Sequence, residues 1–321
     1  MSNAFTDYVD ALEMKYPPEM FLGHLLWFTV TEDTQVQHHE FVKAIISGLD
    51  DMVDVKLPPA PRTVDIFKRA CTNAQRRNQR AIGDDHTSTN YNVKHVTTTK
   101  SELIRILQRE RIDSEGQKLE AQSLVKVRFL RGTDKIEFSA IEADWDDDAV
   151  AVEVTQDIET YFHGHAGVLT AYAIRKYIRD LLFRQVYGIS VRSSGGVYFV
   201  LNKYADVIHT LAGIISTLPG NSDFHVMPLV DDTQQRGMLK AAFEDDSIGE
   251  VDKMLGEISE ILGKDDGRIS TSDYAEYKGS FDVIKGRVLE YSELLDESLE
   301  ATASRLEIAN DILFELLGRV K

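Results

Sequence analysis

The side chains best placed for chemistry lie in one acidic run, Asp144-Trp145-Asp146-Asp147-Asp148, flanked by Glu142 and Glu153. Carboxylates at 144, 146 and 148 have the spacing of the first three ligands of an EF-hand loop. The rest of that pattern is missing: Ala149 stands where the turn glycine belongs, and Thr155 where the bidentate Glu belongs. Grouped carboxylates can also hold Mg²⁺ or Mn²⁺ for phosphodiester cleavage. Under that alternative Glu142, Asp144, Asp146 and Glu153 are the expected metal ligands. The plainer and preferred reading is a solvated acidic loop after a strand, with no cofactor.

Cations form the second set. Arg76, Arg77 and Arg80 crowd beside a polar stretch, Arg109, Arg111 and Arg128 follow on strand-like segments, and Arg175, Lys176, Arg179 and Arg192 come later. Such residues can take a nucleic-acid backbone or another anion. The chain has 36 basic and 53 acidic side chains, a net charge of −17, which alone argues against a simple DNA-coating protein. The charge is uneven, however. Residues 62–136 carry +7 and 168–203 carry +5, whereas 137–167 carry −9 and 231–321 carry −11. The preferred expectation is that basic and acidic blocks pair with each other.

Other candidates are weaker. His163 and His165 are separated by one residue, too few ligands for a metal site. The glycines of Ser193-Ser194-Gly195-Gly196 read as a hairpin turn. A single cysteine, Cys71, cannot form an internal disulfide, and it falls on the inward face of a helical stretch. No zinc-protease, nucleophile-elbow or Walker A pattern is present.

These residues need elements to position them. Residues 4–14 read as a short helix, 22–30 as a strand, and 34–47 and 64–77 as amphipathic helices. Residues 83–99 read as a loop leading into a strand. From 100 to 142 the apolar period becomes two, around turns at Asp113-Ser114-Glu115-Gly116 and Arg131-Gly132-Thr133-Asp134. That pattern predicts an antiparallel meander. Residues 153–185 read as two helices broken near 163–167. Then 187–192, 197–201 and 224–230 read as strands around a helix over 203–218, a small α/β sandwich.

The C-terminal region is helical, at 234–262 and 273–320, separated by Gly263-Lys264-Asp265-Asp266-Gly267. In the second stretch Phe281, Ile284, Val288, Leu295, Leu299, Leu306 and Leu313 fall on one stripe. Read as one helix it spans roughly 70 Å and needs a partner along that stripe. A narrower point comes at Ala301-Thr302-Ala303. The stripe is therefore the expected oligomer or partner interface, in a long, coiled-coil-like hairpin.

The fold expected is α+β: an antiparallel β-meander and a small α/β sandwich, then the long C-terminal helical hairpin. The domains expected are 1–230, with a sub-boundary near the proline-rich 57–62, and 231–321. A start without a basic-apolar leader and the lack of a long apolar run point to a cytoplasmic protein and no membrane partner.

Three stretches carry a resemblance: residues 61–70 (PRTVDIFKRA), 109–113 (RERID) and 194–200 (SGGVYFV). Together they resemble an uncharacterised family found in bacteria and their phages. No activity is assigned to it, so no catalytic residue carries over. The resemblance implies a bacterial or phage accessory protein. The residues point to a non-catalytic interaction protein that self-associates or docks a partner through its C-terminal helices. Its basic patches would hold nucleic acid or an acidic partner. The alternatives are a metal-dependent phosphodiester-cleaving enzyme and an acidic DNA mimic that inhibits a DNA-binding protein.

Overall fold

A computed structural model describes residues 4–80, 87–192, 194–264, 267–295 and 299–320. The chain divides into two compact units, one built from 1–36, 40–58 and 170–321 and the other from 37–39 and 59–169. The fold is mixed α+β, as the sequence predicts.

In the second unit, α3 (Thr63–Asn73) and α4 (Ala149–His165) pack on one five-stranded antiparallel sheet. Its order is β3 (Arg76–Gln79), β4 (Thr87–Thr98), β5 (Glu102–Asp113), β6 (Lys118–Leu130) and β7 (Lys135–Ala140). The predicted meander forms the β5–β7 half. The helix expected to reach residue 77 stops at Asn73, and β3 begins three residues later. Alternation decides which side chains are inside. Val125, Val127 and Phe129 are buried against Phe67 and Cys71 of α3 and Ile158 and Phe162 of α4. Phe67 stacks on Phe129 at 5.2 Å. A bulge between Leu107 and Gln108 shifts the ladder, so that Leu124 and Val125 are both buried. The predicted loop before β4 falls partly on residues 83–86, outside the described residues.

The first unit holds a four-stranded antiparallel sheet, ordered β11 (Asp223–Val230), β1 (Phe21–Thr29), β10 (Tyr198–Leu201) and β9 (Ile189–Ser190). The predicted sandwich strands are there, but the early strand β1 lies between β10 and β11, making the sheet's centre. Gly23 is what lets it fit. A Cβ at that position would lie 2.1 Å from the Val200 carbonyl oxygen and 2.6 Å from the Phe199 ring. The helices of this unit are α1 (Ala4–Lys15), α2 (His38–Leu49, from Glu40 on), α5 (Ala171–Arg184), α6 (Ala205–Ser216) and three C-terminal ones. Separately, β2 (Gln35–Gln37) pairs with β8 (Val168–Thr170).

The C-terminal helices are α7 (Thr233–Leu262), α8 (Thr271–Leu295) and α9 (Glu300–Leu317). This corrects the expectation of one continuous helix over 273–320. Leu299 departs from helical geometry, with φ −96° and ψ 60°, and α9 packs against both α7 and α8. A stripe of that length must be covered, and the chain covers it with its own third helix. Two apolar clusters result. Leu239, Phe243, Tyr291, Leu295 and Leu299 pack on the sheet residues Leu22 and Phe199. Val251, Ile258, Phe281, Ile284, Leu306 and Leu313 join the three helices to each other.

Candidate functional site

Among the described residues, one cavity in each unit gathers polar side chains. In the second unit, Tyr91 on β4 and Arg109 on β5 are directly opposed. Both close on Asp148. The Tyr91 hydroxyl donates to its two carboxylate oxygens, at 2.9 Å each. Arg109 Nη1 donates to Oδ2 at 2.8 Å, while Nη2 donates to Gln122 Oε1 at 2.5 Å. Asp148 is also the N-cap of α4, accepting from the Ala151 N–H at 3.2 Å. Burial, and then the bond to Asp148, push the Tyr91 hydroxyl up to about 12. It is a donor that keeps its proton. With Asp144, Trp145 and Asp147 these residues line a cavity of about 410 Å³.

The larger cavity, a groove of about 590 Å³, lies in the first unit between α5, α7 and α8. Phe183, Met254, Val283 and Ile284 give it apolar walls, and Asp180, Arg184, Lys253 and Glu276 give it both charge signs. Arg287 lines it too, although only 1% of its side chain is exposed. Its Nη1 donates to Asp246 Oδ2 and Glu250 Oε2, each at 3.2 Å, and its Nη2 to the Phe183 carbonyl at 3.4 Å. The guanidinium sits over the Phe183 ring, 5.6 Å from its centroid. Its Nε has no hydrogen-bond partner among the described residues. The same is true of the buried Tyr291 hydroxyl and Ser247 Oγ. Burial pushes the Asp246 carboxyl up to about 6, with Arg287 opposing the shift. A buried guanidinium beside a displaced carboxyl at a groove wall is the kind of arrangement that marks binding sites.

A family model described as a family of unknown function, DUF6744, matches residues 21–321. The chain belongs to this family. The resemblance seen in residues 61–70, 109–113 and 194–200 led to an uncharacterised family, and the match agrees with that. No curated protein and no solved structure matches the chain. Among the described residues no helix is long and apolar enough to cross a membrane.

The predicted site residues of this family member are dispersed. Of the acidic set, Asp144 lines the smaller cavity, whereas Glu142, Asp146 and Glu153 do not. Among the described residues no three His, Cys, Asp or Glu side chains come together as a metal-binding group. The run instead makes a 3-10 turn, Trp145–Asp147, and a helix cap.

Of the cations, Arg76 pairs with Asp157, Arg109 with Asp148, Arg128 with Glu102 and Glu137, and Arg175 with Glu32. Arg109 shares the inner sheet face with Tyr91, but Arg128 alternates with buried Val127 and Phe129 and so points the other way. Arg109 and Arg128 therefore lie on opposite faces of the sheet. Arg111 lies on the same strand as Arg109. Arg77, Arg80, Lys176, Arg179 and Arg192 are exposed, the first two in one unit and the last three in the other. In the Gly-rich turn, Gly195 and Gly196 have φ of +73° and +87°, and Ser193 lies outside the described residues.

The expected interface stripe is packed inside the first unit. Phe281, Ile284, Leu306 and Leu313 lie in one apolar cluster, Leu295 and Leu299 in the other, and Val288 against both. Leu289 and Phe314 are the apolar side chains these helices leave most exposed.

Sequence reading missed Arg287 and Asp246. The signal was present: Arg287 falls three residues after Ile284 and four before Tyr291, a cation on an otherwise apolar stripe. Asp148 was marked as part of the acidic run, but its meeting with Tyr91 and Arg109 was not, because that depends on strand register and helix placement.

Proposed function

We propose that the protein is a non-catalytic docking protein that receives a peptide segment of a protein partner in the groove between α5, α7 and α8. The supporting observation is the groove's composition: apolar walls from Phe183, Met254 and Ile284, with Asp180 and Glu276 beside Arg184 and Lys253. A peptide carries apolar side chains and charges of both signs at short intervals, so it matches such a lining. The walls stand on helices packed around Val251, Ile258 and Phe281, so little ordering is needed on binding. The −11 charge of residues 231–321 adds a field that favours a partner of net positive charge and speeds its approach at low salt.

A displayed peptide library selected on the full chain tests this. Selected peptides should bind the wild-type chain and lose about tenfold or more in affinity to Ser280→Trp, which fills the groove from α8. Binders indifferent to that substitution, or none at all, would reject the reading. A parallel titration with single- and double-stranded DNA decides the nucleic-acid alternative: binding that persists at physiological salt would favour the exposed arginines instead.

A further inference from the structure

We infer that the inner end of this groove is a carboxylate subsite built on Arg287, made for the C-terminal carboxylate of a peptide that ends in an apolar residue. The inference rests on the docking reading and specifies its ligand.

Arg287 is enclosed but loosely held. Its three hydrogen bonds run from 3.2 to 3.4 Å. Charge-assisted bonds of this type normally measure ~2.7–2.9 Å. The chain itself supplies a comparison. Arg236 clasps one carboxylate side-on, Nε to Asp231 Oδ1 at 2.5 Å and Nη2 to Oδ2 at 2.6 Å. Among the described residues those same two nitrogens of Arg287 hold no carboxylate: Nε has no partner, and Nη2 has only the Phe183 carbonyl. A guanidinium is a planar fork matched to a carboxylate, and leaving its donors buried and unfilled is unfavourable.

The two acidic neighbours differ in freedom. The Asp246 side chain is 15% exposed and the Glu250 side chain 40%. Glu250 can therefore turn out to water while Asp246 stays. An incoming carboxylate then binds the Nε and Nη2 edge, and the charge balance holds: one carboxylate leaves the guanidinium as another arrives, so the buried cation is never unpaired. Phe183, Met254 and Ile284 line the same groove and suit the apolar side chain next to a terminal carboxylate. An aspartate or glutamate side chain would bring its carboxylate on a short methylene stem with no branched apolar group beside it, and leave those walls unfilled.

NMR titration of the full chain with N-acetyl-leucine, N-acetyl-leucinamide and N-acetyl-glutamic acid α-amide tests this. The free acid should shift the Arg287 Nε–H and the methyl signals of Met254 and Ile284, with the other two weaker by about tenfold or more. Glu250→Gln, at a half-exposed position, should tighten the acid severalfold and leave the amide unchanged. Equal binding of acid and amide at the groove would overturn the subsite and leave the docking reading standing. So would preference for the glutamic acid derivative, or an acid affinity that Glu250→Gln does not alter. Absence of groove shifts with the acid would also overturn it. The docking reading is decided separately, by the response of selected peptides to Ser280→Trp.

Discussion

Arg287 Nη1 and Asp246 Oδ2 lie 3.2 Å apart between α8 and α7, with the guanidinium side chain 1% exposed. Such a pair is stable only as a pair. Its charges lost their hydration on folding, and each depends on the other to offset that loss.

Removing one partner should therefore be costly. Arg287→Met is expected to destabilise the first unit by about 3–5 kcal/mol, because it strands a buried carboxyl. Adding Asp246→Leu should recover most of the loss, since two apolar side chains pack where two charges were paired. Urea unfolding of the single and double variants gives the coupling; strictly additive effects would deny it.

The pair also sets a pH dependence. Asp246 rises from 3.8 to about 6 on folding, so the folded chain holds a proton that the unfolded chain releases. The contribution is complete below the unfolded value and is lost as pH rises through the folded one. The stability of the wild type relative to Asp246→Asn should fall by roughly 2–3 kcal/mol between about pH 4 and about pH 6.5. A difference that stays flat across that range would show that Asp246 is ionised throughout.

Asp148 does two things at once, capping α4 and holding Arg109. Asn is nearly as good a cap as Asp but cannot pair with a guanidinium. Asp148→Ala should thus be less stable than Asp148→Asn by about 1 kcal/mol, the usual worth of a cap. Thermal unfolding compares the two directly; equal values would mean that the cap contributes nothing.

Gly23→Ala should disrupt the four-stranded sheet. The new methyl would sit 2.1 Å from the Val200 carbonyl oxygen, which belongs to the paired strand and cannot rotate away. Overpacking of this kind costs about 1–3 kcal/mol. Unaltered stability in denaturant would show that β1 and β10 can separate cheaply.

Cys71 is fully buried between α3 and the five-stranded sheet, and burial pushes its thiol up to about 12. The thiolate is the reactive form. In native buffer the thiol should resist a disulfide reagent and then react fully in denaturant. Modification at the rate of a free thiol would show that the second unit opens readily.

Much of the fold can be read locally. The meander shows in the alternation of Val125, Val127 and Phe129, and α5 in its stripe of Ile174, Ile178 and Leu181. What failed was long range. Nothing near Phe21–Thr29 says that it inserts between β10 and β11. Nothing in the spacing of the C-terminal stripe says that its second part, α9, packs back on α7 and α8. The residues of the smaller cavity followed the same division. Asp144 and Asp148 drew notice through their acidic neighbours, whereas the pairing of Asp148 with Tyr91 at 2.9 Å is specified by nothing near either residue.

The sequence by itself determined the α+β class, most helix and strand positions, the blockwise charge, the single unpaired cysteine and the presence of a cation on an apolar helical stripe. Tertiary structure alone decided which charges meet. Arg109 finds Asp148 from 39 residues away, and Arg287 finds Asp246 from 41. Hydrogen bonds and ion pairs act over a few ångströms, while sequence order constrains only near neighbours. Arg76 and Arg109 of a basic block thus meet Asp157 and Asp148 of an acidic one through pairs that no local pattern specifies, and the groove exists only where α5 meets α7 and α8, which lie far from it in sequence.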